Sequence, residues 1–327
     1  MREQPTSATV FRPQSDSVPR TVSAVVLTYR RPRLATEVVR SLLDREGLSP
    51  DRVVVVVNGS GGLEDRELED RVRMIRLADN LGPAGGFAVG IEKAFEQPST
   101  QWAYLCEDDV GLYSLPCPRL ADLVDRTERL GTVDGLPVGA VVAFGRRFVG
   151  RGVHTRNIVP PEGIFCELER VDVGSWGATL LSRQVFDAGV LPDKEWFFGL
   201  EDFDFYCRVR EMGFEVLVDG ISARAVASEQ TSLGRAEIQG LRRPTNEHEV
   251  WRQYYHFRNS IEMVRRHGRP SWHLWQSAYA VRHLLGASGR EERLAIVRGY
   301  WDGVRGRLGE HPRYRRSVGE WTGHNGF

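Results

Sequence analysis

The hydrophobic pattern of this chain alternates between two periods. Residues 21–29, TVSAVVLTY, form a β-branched and apolar run, and they give way to RRPRLATEVVRSLLDRE, where apolar residues recur at helical spacing behind a proline. The alternation then returns. RVVVVVNGSGG reads as a buried strand closing on a glycine-rich turn, an acidic helical run follows, and RVRMIRLADN reads as a third strand. LGPAGGFAVGIEKAFEQ opens a helix with proline and glycines, and TQWAYLCEDD is a fourth strand whose carboxyl end carries acids. Such alternation predicts an α/β fold, a mainly parallel sheet between helices. Ligands of these sheets sit beyond the carboxyl ends of the strands, where Thr28, Asn58, Asn80, Glu107, Asp108 and Asp109 all fall.

The middle of the chain is less regular. PVGAVVAFGRRF and ERVDVGSWGATLLS read as strands with a loop, RGVHTRNIVPPEGIF, between them. KEWFFGLEDFDFYCRVREMGFEVLVDG reads as a loop, a helix ending near Gly213 and a short strand. From about Asn246 three amphipathic helices are predicted, in NEHEVWRQYYHFRNSIEMVRRHG, SWHLWQSAYAVRHLLG and EERLAIVRGYWDGVRGRLG. Alone they have little core, so they should pack on the sheet domain as a helical appendage. The expected organisation is an N-terminal arm over 1–20, an α/β domain over 21–240 and a C-terminal helical region over 241–327.

Composition narrows the function. With 44 basic and 44 acidic side chains the chain is neutral and carries no general electrostatic footprint for nucleic acid. The four cysteines show neither CxxC spacing nor the density of a secreted scaffold, which points to reduced thiols in a cytoplasmic protein. The first twenty residues are polar and lack the apolar core of a signal peptide. No window reaches the roughly 18 apolar residues that span a bilayer, so membrane contact would be peripheral.

Three consecutive acids, Glu107, Asp108 and Asp109, admit three readings: a solvated loop, a helix N-terminus, or a site for a hard divalent cation that keeps open positions for phosphate. Their position at the sheet's ligand edge favours the cation. A second acid set, Glu201, Asp202 and Asp204, follows the aromatic run WFF about ninety residues later. Two such groups can divide the labour, one anchoring a metal against a diphosphate leaving group and the other taking a proton from an incoming hydroxyl.

The ordered motifs VVLTYRRP, VVVVNGSGG, DNLGPAGGFAVG, CEDD, WFFGLEDFDFYCR and YYHFRN resemble family 2 inverting glycosyltransferases of GT-A fold, most of all the bacterial galactofuranosyl- and rhamnosyltransferases. The resemblance runs from about Thr21 to Gly309. It implies a nucleotide-sugar donor, UDP- or dTDP-linked, and Mg²⁺ or Mn²⁺. It places Thr28, Tyr29 and Arg31 around the nucleotide base and diphosphate, Asn58 near the pyrimidine, and Asn80, Gly82, Gly85 and Gly86 along the diphosphate. Glycines there let backbone N–H groups approach oxygens. It implies Asp109 and Glu107 as metal ligands, Asp108 near the ribose and Asp202 as catalytic base. It has Glu201 and Asp204 holding the acceptor, with Trp196 and Phe197 as an apolar platform for a sugar and Trp176 close by. Arg208, four residues after Asp204, would share its helix face and pair with it.

The chain departs from the family pattern at three places. Val57 stands where many relatives have Asp, Ala227 and Ser228 stand where relatives place a metal-binding His, and the first acid of the metal motif is Glu107. His248 or His256 could replace that ligand from the following helix. A sugar-1-phosphate nucleotidyltransferase and a non-catalytic nucleotide-sugar-binding relative are the competing readings; the former usually has a glycine-rich loop after the first strand, which TYRRPRLA lacks. The acceptor is a glycan, a lipid-linked molecule or a small molecule. A lipid-linked acceptor would bring the chain to the inner membrane face through basic stretches such as VRRHGRP and HPRYRRS. A homo-oligomer is equally compatible with the sequence.

Overall fold

The computed structural model describes residues 21–108, 120–150, 152–163, 167–225, 250–268 and 270–314. The arm over 1–20, Asp109, Cys117, Cys166, Ala227, Ser228, His248 and the boundary expected at 240 lie outside the described residues. The first half follows the expected alternation: β1 (Val22–Thr28), α1 (Pro32–Arg40), β2 (Val53–Asn58), α2 (Arg66–Arg71), β3 (Arg73–Leu77), α3 (Gly82–Phe95) and β4 (Trp102–Glu107). Then come α4 (Leu120–Leu130), β5 (Thr132–Val133), β6 (Leu136–Val142), β7 (Gly145–Phe148), β8 (Thr155–Ile158), β9 (Leu168–Arg170), β10 (Val173–Gly174) and β11 (Thr179–Ser182). The last described elements are α5 (Arg183–Asp187), α6 (Glu201–Glu211), β12 (Glu215–Asp219), α7 (Val250–His267), α8 (Pro270–Gly286) and α9 (Arg290–Val304).

The main sheet runs β3-β2-β1-β4-β11-β6-β12-β9, and β10-β7-β8 form a small second sheet. Strands β1 to β4 are mutually parallel, so Thr28, opposite Val57, and Glu107, opposite Leu27, end on one edge. β11 is antiparallel to both β4 and β6. Alternation along β1 sends Val22, Ala24 and Val26 into a core with α1 and α4, and Val25 and Leu27 into a core with α3 and α6. The sheet is thus covered on both faces, as continuous apolar strands require.

Two expectations need correction. PVGAVVAFGRRF is not one strand: the chain leaves the main sheet after β6 and starts β7 in the second sheet. The crossing is tight, since a Cβ on Gly145 would lie 2.5 Å from the Val218 Cβ. RGVHTRNIVPPEGIF is not all loop, because Thr155–Ile158 pairs with β7 as an edge strand. Its sequence, TRNI, carries no apolar period, so only the pairing partner makes it a strand.

The helical appendage is anchored at the turn that precedes α6. Phe197, Gly199 and Leu200 all have positive φ, +63°, +80° and +64°. For two bulky residues this costs about 1–2 kcal/mol each. The fully buried Arg258 and Asn259 of α7 hold the turn by its carbonyls. Arg258 donates to the Trp196 carbonyl at 2.6 Å, and the Asn259 amide donates to those of Phe198 at 2.7 Å and Gly199 at 2.5 Å. From the opposite side comes Gly82, whose Cβ, if present, would fall 1.9 Å from the Phe197 carbonyl oxygen. The first turn of α3 therefore abuts the turn that launches α6. Behind the turn α9 crosses α7 closely, as a Cβ on Gly299 or Gly303 would strike the carbonyls of Tyr254 or Arg258.

A second tie joins α7 to α6. Asp204, fully buried, accepts from Arg208 at 2.9 Å, His267 at 3.0 Å and Arg266 at 3.3 Å. Arg266 also donates to Asp193 and Glu262, and Arg265 to Glu262. The basic stretch VRRHG, expected as a lipid contact, is therefore engaged with acids of its own chain. Burial opposes the charge on His267, but hydrogen bonds to Asp204 and Glu211 raise its pKa above the ordinary 6.5.

Asn259→Ala should cost about 2 kcal/mol of stability in urea unfolding, because it leaves buried carbonyls without a donor; unchanged stability would show that the turn needs no clamp. The raised His267 pKa fixes a sign. Its contribution is complete below pH 6.5 and fades as pH rises through the higher folded-state pKa. Thermal unfolding should reveal this loss in the wild type, and His267→Gln should flatten it.

Candidate active site

The end of β1 and the end of β4 are bound together. Thr28 Oγ1 donates to Asp108 at 2.7 Å and Arg31 forms an ion pair with the same carboxyl at 3.0 Å. Both Thr28 and Asp108 are buried, while Tyr29 is half-buried beside Gly59. Sequence reasoning thus brought Thr28, Arg31 and Asp108 to one place. Asp108 is a partner of these two groups before it is anything else.

Asn58, Asn80 and the glycines act one layer behind. The Asn58 amide donates to the Gly82 carbonyl at 2.9 Å and its oxygen accepts from Leu81 N–H at 2.8 Å. It is buried and ties β2 to the first turn of α3, which corrects its expected position against a pyrimidine. Asn80 accepts from the Gly82 N–H at 2.9 Å, closing the same turn. Gly86 faces the core, since its Cβ would lie 2.3 Å from Leu27 Cδ1, and Gly85 faces Leu81. Helix-to-sheet contact accounts for Gly86, and Gly82 is required by the Phe197 carbonyl.

The second acid set lies in the first turn of α6. Glu201 is buried and Asp202 partly exposed. Burial, and then the neighbouring Asp202 charge, push the Glu201 carboxyl up to about 8. Burial also raises Asp202, to about 6, against the Phe203 N–H at 2.8 Å and the charge of Arg146, which both favour the ionised form. Burial raises both adjacent acids, Glu201 further than Asp202. Trp176 and Glu201 are buried together, and the Trp176 N–H favours the ionised Glu201 carboxyl without outweighing burial.

Tyr206 connects the two acid sets. Its hydroxyl pairs with Thr179 Oγ1 at 2.8 Å. Burial raises its pKa first, and the charges of both Asp202 and Glu107 raise it further. The end of β4 and the start of α6 therefore act on one phenol. Sequence reading missed Tyr206, Thr179, Ser175 and Arg146. Tyr206 was findable, because it follows Asp202 by four residues and so shares its helix face.

Several expected site residues sit elsewhere. Asp204 is enclosed by Arg208, Arg266 and His267 on the far side of α6, which leaves it no oxygen for an acceptor. The pairing of Asp204 with Arg208 is as the spacing implied. Trp196 is fully buried under the Arg266 guanidinium at 5.3 Å, so it offers no open face to a sugar. Phe197 packs on Tyr255 at 5.3 Å. Trp176 is buried among Phe87, Phe205 and Tyr206, with its N–H toward Glu201. The aromatic run builds the support of α6. His256 packs on Phe257 and Tyr279 between α7 and α8.

Among the described residues no group of three His, Cys, Asp or Glu side chains is arranged to hold a metal ion. Glu107, partly exposed, and Asp108, buried against Thr28 and Arg31, are the described carboxylates at the end of β4, and Asp109 lies outside the described residues. Such a donor set suits a hard divalent ion that takes its remaining ligands from phosphate oxygens and water.

Residues 23–189, half of the chain, match the family described as glycosyl transferase family 2. No curated protein matches. Similar solved structures include GalNAc-T7 with UDP, GalNAc and Mn²⁺, at 17% identity and TM-score 0.46, over 62% of this chain and 42% of that one. The chain thus spans about two fifths of GalNAc-T7's length. Others are S. aureus TarS 1-349, at 15% identity and TM-score 0.45 over 88% and 92%, and the mannosyltransferase PcManGT from Pyrobaculum calidifontis with GDP-Man and Mn²⁺, at 13% and 0.44 over 87% of each chain. By its sequence the chain belongs to glycosyl transferase family 2, and its mostly parallel sheet between helices is the expected α/β fold.

Proposed function

We propose that the chain is an inverting hexosyltransferase that moves galactofuranose or rhamnose from a UDP- or dTDP-linked donor to a hydroxyl of a glycan, a lipid-linked molecule or a small molecule. The observation that carries this reading is the acid pair at the start of α6, a partly exposed Asp202 beside a buried Glu201, with Tyr206 under the charges of both Asp202 and Glu107. The order of motifs from VVLTYRRP to YYHFRN supports the choice of sugars. We place the enzyme in the cytoplasm, at the inner membrane face where its acceptor is lipid-linked.

In this reading Asp202 accepts the proton of the acceptor hydroxyl as that oxygen bonds to the anomeric carbon. The bond from that carbon to the nucleoside diphosphate breaks on the opposite face, so configuration inverts. Glu201 stays buried behind Asp202, with the Trp176 N–H directed at its carboxyl. Arg31, Thr28 and Asp108 form the donor-side wall. Glu107 and Asp109 would hold Mg²⁺ or Mn²⁺, which when bound neutralises charge on the diphosphate.

Incubation with UDP-galactofuranose or dTDP-rhamnose and a divalent ion should release nucleoside diphosphate, and NMR of the product should show an inverted anomeric centre. Retained configuration, or no release from any nucleotide sugar, would reject the proposal. Asp202→Asn should lower turnover by about 10²–10⁴ while donor affinity stays within roughly twofold, because the base acts on the acceptor. Turnover should rise with pH as Asp202 ionises, with a limb near 6, and Arg146→Gln should move that limb upward by removing a charge that favours the carboxylate. A limb in the ordinary carboxylate range near 4 would count against Asp202 as base.

A further inference from the structure

The helices α8 and α9 leave apolar side chains uncovered. α8 packs inward through Gln276 and Ala280, and its Ser277 hydroxyl meets Tyr300 of α9 at 2.8 Å. Its opposite side is also apolar. Leu274, Val281 and Leu285 are 76%, 54% and 80% exposed and recur at intervals of seven and four residues, so they form one stripe. On α9, Val297, Trp301 and Val304 are 38%, 51% and 47% exposed, again on one stripe. Each stripe lies next to the residue that makes the Ser277–Tyr300 contact, so the two flank the seam between the helices. A contiguous apolar face of this kind is unusual on a soluble monomer.

Charge selects the occupant. α8 contains no acidic residue. The acids of α9 are turned elsewhere: Glu291 pairs with Arg313, Glu292 binds Ser288, and Asp302 accepts from Tyr254. The exposed polar side chains around the stripes include Arg282, Arg290, Arg293 and Arg305. A second copy of the same face would set these cations against each other with no acid to compensate. An anionic lipid surface complements them, and leucine, tryptophan and arginine are the residue types that seat a helix at a headgroup boundary.

We infer that the α8–α9 face docks the protein on an anionic phospholipid surface, with the apolar stripes entering the headgroup boundary and the arginines meeting lipid phosphates. The inference does not depend on the donor or acceptor of the proposed reaction. No described helix is long and apolar enough to cross a membrane, so the contact is one of lying on the surface.

The test is sedimentation of the full chain with vesicles of phosphatidylcholine alone or with phosphatidylglycerol added. The protein should follow the phosphatidylglycerol vesicles, and salt should weaken the binding. Leu274→Glu with Leu285→Glu should weaken it by roughly tenfold or more, while release of nucleoside diphosphate from a soluble donor stays at the wild-type rate. Absence of wild-type binding to phosphatidylglycerol vesicles would overturn the inference, as would equal binding by the double variant. So would sedimentation velocity showing a wild-type dimer that the double variant converts to monomer without any vesicle binding, since the face would then be a self-association surface.

Discussion

The site depends on a backbone turn that cannot hold itself. Phe197, Gly199 and Leu200 have positive φ within four residues, and the carbonyls of Trp196, Phe198 and Gly199 turn toward α7. Arg258 and Asn259 supply the missing donors from α7, and Gly82 supplies the missing space from α3. The geometry at Asp202 therefore rests on contacts from segments more than fifty residues away on one side and more than a hundred on the other. The motif YYHFRN is explained by this duty, because its arginine and asparagine hold the turn and its second tyrosine packs on Phe197 and Phe198.

This arrangement makes the helical appendage part of the site. α7 positions the turn through Arg258 and Asn259 and fixes the next turn of α6 through His267 and Arg266. Its outer companions, α8 and α9, then present the apolar face, so one bundle links a surface contact to the placement of the base. The two acid-bearing parts of the fold meet directly, since the first turn of α3 touches the Phe197 carbonyl and Asn58 braces that turn from β2.

Much of the fold was legible because burial on both faces of a parallel sheet writes itself as continuous apolar runs, and VSAVVLT, VVVVVN and WAYLCE are such runs. The small second sheet was not, because TRNI becomes a strand only by pairing with β7. Glycine-rich LGPAGGFAVG marked a close approach, and the neighbours its glycines meet are Phe197, Leu81 and Leu27. A glycine records that space is tight without recording what occupies it.

The sequence by itself determined the order of elements, the edge on which the acids collect and the family to which the chain belongs, since these follow from periodicity and from motifs that occur in one order. Only the tertiary structure decided what each acid does. Glu201, Asp202 and Asp204 lie within four residues, yet each step along a helix turns a side chain by about 100°. One is therefore driven into the core, one stays partly exposed, and one is enclosed by Arg208, Arg266 and His267. Neighbours from distant segments set those three environments, and a linear string of residues does not contain them.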